Sequence, residues 1–171
     1  MKKFSIMIFV LLLLCTSWGC TTKQTSANSI IFYYTRNNVE FGTDSGIIIP
    51  VTRDIKQSNL SYQQQLEIYL NGPINYESIS PFPAGTTLED FQLDNNKVQL
   101  TFSPHLSTLT GTDLMIACAC MTQTVTQMTG IDTVQIRVEG ALINGQEILT
   151  LSNDSFTFFD STTPDDFKGV N

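Results

Sequence analysis

The clearest periodic signal in the chain lies between Asp113 and Met128. Leu114, Cys118, Met121, Val125 and Met128 step by four, three, four and three, with Ala117 beside them. That spacing lays one apolar stripe along an α-helix, and Gly130 ends the run. Thr122, Thr124, Thr126 and Thr129 fill the rest of the helix, and this weakly charged face is expected to meet water, a sheet edge or another subunit. A shorter stripe joins Tyr62, Leu66, Tyr69 and Leu70 at i, i+4, i+7 and i+8. Ser61 precedes it as an N-cap, with Gln64 three residues on to complete a capping box. Asn71-Gly72-Pro73 stops it, with glycine at the left-handed C′ position and proline just beyond.

The remaining apolar runs read as strands. Ile30 to Tyr34 is β-branched and aromatic and is expected to be buried on both faces. Ile47, Ile48, Ile49 and Val51 form a second strand that closes near Arg53. Leu88 to Leu93 and Val98 to Phe102 flank Asp94-Asn95-Asn96 as a hairpin, and the alternation of Val98, Leu100 and Phe102 puts one face in the core. Leu88 is out of phase with Phe91 and Leu93, which predicts a bulge. Further on, Val134, Ile136 and Val138 point inward and Gln135 and Arg137 outward. Asn144-Gly145 signals a two-residue turn, with Ile148 to Leu151 returning as a short strand. Phe156, Phe158 and Phe159 are expected to dock the tail on the body. The order strand, strand, helix, strand, strand, helix, strand, strand predicts an α+β fold: a mixed β-sheet with two helices packed on one face.

The first 19 residues break this pattern. Lys2 and Lys3, the apolar run Phe4 to Leu14 and the small Gly19 before Cys20 describe a signal peptide. The run is shorter than the ~20 apolar residues of a membrane-spanning helix. Gly19-Cys20, followed by polar Thr21-Thr22-Lys23-Gln24, resembles a bacterial lipobox, although Ser17 stands where leucine is usual and Trp18 is bulky. The resemblance implies cleavage before Cys20, a diacylglyceryl group on its sulfur with palmitate among the acyl chains, and a domain on the extracytoplasmic face of the bacterial cytoplasmic membrane. The alternative is ordinary cleavage nearby and a freely secreted protein. The chain then divides into a signal peptide (1–19), a polar tether (20–29), a folded domain (30–160) and a flexible acidic tail (161–171).

Charge narrows the partners. Cleavage before Cys20 leaves 152 residues, about one domain. It removes two of nine basic residues and no acid, leaving seven against 16 and a formal charge of −9. Such a surface argues against nucleic acid, whose binding rests on Lys and Arg neutralising phosphates. It also repels anionic lipid, so the membrane contact is assigned to the lipid on Cys20. With 42% hydrophobic and 15% charged residues the chain is globular.

The search for chemistry leaves few candidates. Cys118 and Cys120 point about 200° apart on a helix and cannot bridge each other. Cys118 shares the stripe; Cys120 falls off it, either as an exposed thiol or packed beneath a neighbouring element. With a single histidine and no clustered cysteines, no zinc site is expected. His105, in Ser103-Pro104-His105-Leu106, reads as a loop residue. Asp44-Ser45-Gly46 matches an aspartic-protease tripeptide but lacks the preceding apolar residue and occurs once. Asp94-Asn95-Asn96 opens like a calcium loop, but Val98 takes a ligand position and the sixth place has no glycine. Glu89-Asp90 and Asp165-Asp166 read as solvated charge. No phosphate loop or nucleophile elbow is present. No catalytic, cofactor-binding or metal-binding residue is therefore assigned, and an enzyme is not expected. Arg53 and Arg137 are candidates for pairing with Glu139 or Asp54. Tyr33, Tyr34, Tyr62, Tyr69 and Tyr76 could supply stacking faces to a small ligand or to peptidoglycan, though most are better placed in a core.

Five stretches in order resemble the GerMN domain, the sporulation and spore germination domain. They are Ile49-Pro50-Val51-Thr52-Arg53-Asp54-Ile55; Leu66 to Pro73, reading LEIYLNGP; Pro81 to Thr86, reading PFPAGT; Val98 to Ser103; and Thr124 to Gly130 followed by Val134 to Gly140. The resemblance covers residues 30 to 150. Glu139 departs from the family's frequent aspartate, the Ile143 to Ile148 hairpin is longer than usual, and the chain has length for one copy where members often carry two. The resemblance implies a fold similar to the ring-building motif of sporulation secretion proteins. It further implies an extracytoplasmic lipoprotein in sporulation, germination or envelope maintenance, acting by assembly with envelope proteins or itself. It brings no catalytic residues.

Overall fold

The computed structural model describes residues 29–38, 46–55, 57 and 59–156. The expected signal peptide, Cys20, Asp44-Ser45, Phe158, Phe159 and Asp165-Asp166 lie outside these residues. No helix among them is long and apolar enough to cross a membrane.

Strand β1 (Ser29–Arg36) runs antiparallel to β2 (Ile48–Asp54), from Ser29 opposite Asp54 to Thr35 opposite Ile48. On its other side, among the described residues, it pairs with β3 (Ser78–Ile79) at Thr35 and Arg36. Only Phe32 and Tyr34 of β1 are buried; the other positions are half-buried. The strand alternates and is not enclosed on both faces as its composition suggests, because the core lies on one side of this small sheet.

Helix α1 (Tyr62–Leu70) begins as predicted. The Gln64 N–H donates to Ser61 Oγ at 3.2 Å, and the Ser61 N–H donates to Gln64 Oε1 at 2.9 Å. Leu66 and Tyr69 are its buried residues, and Gly72 beyond it takes φ +90°. Strands β4 (Leu88–Leu93) and β5 (Val98–Phe102) form the hairpin, with the register shifting between Leu88 and Asp90 as the bulge requires. Helix α2 (Gly111–Thr129) then carries the chain back, so β6 (Val134–Val138) pairs parallel to β5, which no tight turn could achieve. Asn144 and Gly145 both have positive φ, 50° and 76°, as a primed hairpin turn demands. Strand β7 (Leu149–Leu151) closes this sheet against β6.

The fold is α+β, but its strands fall into two sheets where one was expected. The first is antiparallel, β2-β1-β3; the second is mixed, β4-β5-β6-β7. Hydrogen bonding explains the break. The Arg36 N–H reaches Ile47 O at 2.8 Å, so Tyr33, three residues earlier, turns its backbone groups away from β2. The Tyr33 N–H donates to Thr124 Oγ1 at 3.0 Å, and its carbonyl accepts the Tyr69 hydroxyl at 2.6 Å. Side chains of α2 and α1 occupy the edge where a further strand would pair.

Helix α2 packs on both β1 and β6 and on a short 3-10 turn at Asn153–Ser155. Its burial therefore exceeds one stripe. Leu114, Cys118, Met121 and Val125 are buried as expected, with Met128 half-buried, but Cys120, Thr122 and Thr124 are buried too. The choice left open for the threonine face resolves toward the sheet edge: Thr124 is buried against β1, Thr122 has no exposed surface, and Thr126 is half-buried with its hydroxyl hidden. Both sheets share one core, in which Phe32, Tyr69 and Phe82 meet Leu100, Phe102 and Val125.

Candidate functional site

The five motif stretches meet pairwise at joints. Arg53, at the end of β2, donates from one Nη to Ile68 O at 3.2 Å and to Gly72 O at 3.4 Å. Its cation thus sits on one carbonyl of the last turn of α1, Ile68 O, and on Gly72 O just beyond the helix, where a positive charge complements the helix dipole. The strand motif is tied to the helix motif through these backbone oxygens. In the proline-rich loop, the Thr86 hydroxyl donates to Pro83 O at 2.8 Å and Gly85 takes φ +85°. That loop is fastened to the end of β5 by Ser103, whose Oγ accepts the Thr87 N–H at 3.0 Å and donates to Gly85 O at 3.4 Å. The Glu139 N–H extends the parallel pairing by donating to Phe102 O at 2.8 Å, while the side chains of Glu139 and Arg137 are exposed.

The chemistry-bearing candidates do not converge. His105 sits in a 3-10 turn (Pro104–Thr108) with Nδ1 3.4 Å from Ser103 Oγ. Ser103 is buried and its hydroxyl fastens the loop, so this contact positions the exposed imidazole over Gly85. Cys118 and Cys120 are both buried and free, which resolves Cys120 in favour of packing. Burial pushes each thiol up to about 12, against a weaker opposing hydrogen bond from Thr35 at Cys120. A thiol so held keeps its proton and is a poor nucleophile. Burial also raises Tyr69 and Tyr34, the latter in spite of Arg53 beside it. Among the described residues no group of three or more His, Cys, Asp or Glu could hold a metal ion.

Two features of the surface stand out. At one end of the three-stranded sheet, Ile47 and Ile79 flank the end of β1, joined to it through Arg36 and Thr35. The Asn37 side chain holds Tyr76 O at 3.0 Å there. Ile47, Ile74, Tyr76 and Ile79 are all exposed, Tyr76 at 96%. The second feature is an open cleft of about 470 Å³ at the start of α1, lined by Leu60, Ser61, Tyr62, Gln63, Gln65 and Phe91.

A family model described as Germane, sporulation and spore germination, matches residues 31–144. The chain belongs to the Germane family. The match takes in β1 through the Asn144 turn, and so includes all the joints above. Among solved structures, the first GerMN domain of the sporulation protein GerM from Bacillus subtilis is similar at 22% identity and TM-score 0.55, covering 73% of this chain and 98% of that one. The tandem GerMN domains of the same protein are similar at 19% identity and TM-score 0.56, covering 72% of this chain. This Germane-family chain spans 45% of that two-domain structure. These likenesses bear out the α+β GerMN fold. No curated protein matches the chain. The motif residues that carry the family resemblance are joints of this fold, and the exposed apolar residues and the cleft lie outside them, where the motifs gave no signal.

Proposed function

We propose that this Germane-family protein is a non-catalytic, lipid-anchored extracytoplasmic protein that serves sporulation, germination or cell-envelope maintenance by assembling with envelope proteins or with itself. The observation that carries this is the apolar end of the three-stranded sheet. Ile74, Tyr76 and Ile79 are exposed within one six-residue stretch of an otherwise acidic chain, Tyr76 at 96%, and apolar surface gathered in this way is characteristic of interaction sites. The engagement of Arg53, Thr86 and Ser103 in structural joints and the burial of both thiols support a role in binding over one in chemistry. The lipobox-like Gly19-Cys20 supports an anchor, and two or three acyl chains suffice for stable attachment where one is marginal.

Two experiments test this reading. Cys20→Ala should move the protein from the membrane fraction to the medium or leave an uncleaved precursor; an unchanged, processed, membrane-bound product would refute the anchor. For assembly, pull-downs from envelope extract and light scattering on residues 20–171 should show a recovered partner or self-association. Tyr76→Asp should remove it without lowering the melting temperature. A strict monomer that recovers no partner would overturn the assembly reading. The cleft beside α1 favours a second reading, a small-ligand or peptidoglycan-binding module.

A further inference from the structure

The cleft at the start of α1 has a consistent chemistry. Its floor is aromatic: the rings of Tyr62 and Phe91 lie 5.9 Å apart, tilted by 40°, and both residues remain half-exposed. Its rim is amide. The Gln65 side-chain NH₂ is tied to Leu60 O at 2.9 Å, and that of Gln63 to Glu67 Oε1 at 3.3 Å. Neither side-chain carbonyl oxygen has a partner among the described residues. Donors are present as well. Ser61 Oγ takes the Gln64 N–H, so the N–H groups of Tyr62 and Gln63 are left in the first turn without an intrahelical acceptor.

The lining carries no charge at neutral pH, yet it is bordered by acids. Glu67 holds Gln63, and Asp90 precedes Phe91 on β4. Anionic ligands are repelled and apolar ones leave the amides and N–H groups unsatisfied. A ligand that fits has an apolar face to lie on the rings and neutral amide or hydroxyl groups at its edge. The partly positive C–H face of a pyranose suits the negative face of an aromatic ring. An acetamido substituent carries one N–H donor and one C=O acceptor, matching the Gln carbonyls and the first-turn N–H groups. The volume of about 470 Å³ takes one or two sugar rings, and the open shape of the cleft lets a chain run through.

We infer that this cleft is a subsite for a neutral glycan of N-acetylated hexosamines. The site is independent of the apolar sheet end, so it stands or falls separately from the assembly reading.

The probe is chitohexaose, a chain of N-acetylglucosamine, titrated into residues 20–171 carrying Cys20→Ser and followed by amide chemical shifts. Shifts should centre on Leu60 to Gln65 and Phe91, with a dissociation constant between roughly 0.1 and 10 mM, as expected of a shallow site. Maltohexaose, which lacks the acetamido groups, should bind about tenfold more weakly or worse. Phe91→Ala should abolish binding but also touches packing, so Gln63→Ala, at an exposed position, provides the second variant. It should keep the wild-type melting temperature and weaken binding about threefold to tenfold. Purified peptidoglycan sacculi then distinguish a polymer ligand from free oligosaccharide, since only a polymer site sediments the protein with the sacculi. No shifts at about 10 mM chitohexaose, equal binding of maltohexaose, or shifts centred on Tyr76 would each overturn the inference.

Discussion

Thr122 and Thr124 lie two residues apart on α2, both without exposed surface, yet their hydroxyls have opposite circumstances. Thr124 Oγ1 accepts the Tyr33 N–H at 3.0 Å and is hydrogen-bonded to the Tyr69 side chain. Thr122 Oγ1 has no partner among the described residues. Valine matches threonine in shape and in stiffness at χ1, so either substitution exchanges a hydroxyl for a methyl and changes little else. Thr124→Val leaves the Tyr33 N–H orphaned at a closed sheet edge, which costs about 1–3 kcal/mol. Thr122→Val removes a buried hydroxyl whose unpaired burial itself costs about 1–3 kcal/mol, so it should leave stability equal or raise it. In a chain of this size each kcal/mol moves the melting temperature by about 2–4 °C. Urea and thermal unfolding followed by circular dichroism measure both, with an unchanged m-value marking an unchanged unfolded state. Thr124→Val should fall below wild type while Thr122→Val does not. A Thr124→Val protein as stable as wild type would refute the closure of the β1 edge by this hydroxyl. A loss of more than about 1 kcal/mol in Thr122→Val would show that its hydroxyl has a partner.

Arg53→Met should cost about 1–2 kcal/mol by stripping the last carbonyls of α1 of a charged donor, with faster amide exchange confined to that helix end; unchanged exchange there would exclude the joint. Gly72→Val should cost about 1–2 kcal/mol, because φ +90° strains a β-branched residue even though a Cβ there would come no nearer than 3.9 Å to its closest neighbour, the Cβ of Ser80; an unaltered melting temperature would contradict it. Cys118 and Cys120 hold their protons to about 12 in the fold against an ordinary 9.0, so stability is fully present below about pH 9 and falls as pH rises toward 12. Equal rates of alkylation of native and urea-unfolded protein near pH 8 would overturn their burial.

The sequence was most legible where local chemistry decides the backbone. The Ser61–Gln64 box, the left-handed Gly72, the helix end at Gly130, the Leu88 bulge and the Asn144-Gly145 turn each depend on a few adjacent residues, and each is where it was expected. The division into two sheets was not legible. It turns on the Tyr33 backbone meeting a hydroxyl 91 positions away and on a two-residue strand, β3, too short to show any period. The threonines of α2 were only partly legible for a related reason: water, a sheet edge and a subunit all suit a polar face until the backbone group that meets its hydroxyl is known. Of the candidate surfaces, Tyr62 was legible as an aromatic but not its partner Phe91, which a different element supplies. The exposed residues on either side of Tyr76 carry no motif: Ile74 and Ile79 belong to no periodic run in the sequence, and only the packing shows them exposed.

The most direct test of assembly is a photo-crosslinking amino acid placed at Tyr76 in the full-length chain expressed in its own envelope, with the same group at exposed Asn95 in the β4–β5 turn as the comparison. Irradiation should give discrete higher-mass adducts from position 76 and none above background from position 95. No adduct from position 76, or the same adducts from both positions, would contradict an interaction surface at the end of the three-stranded sheet.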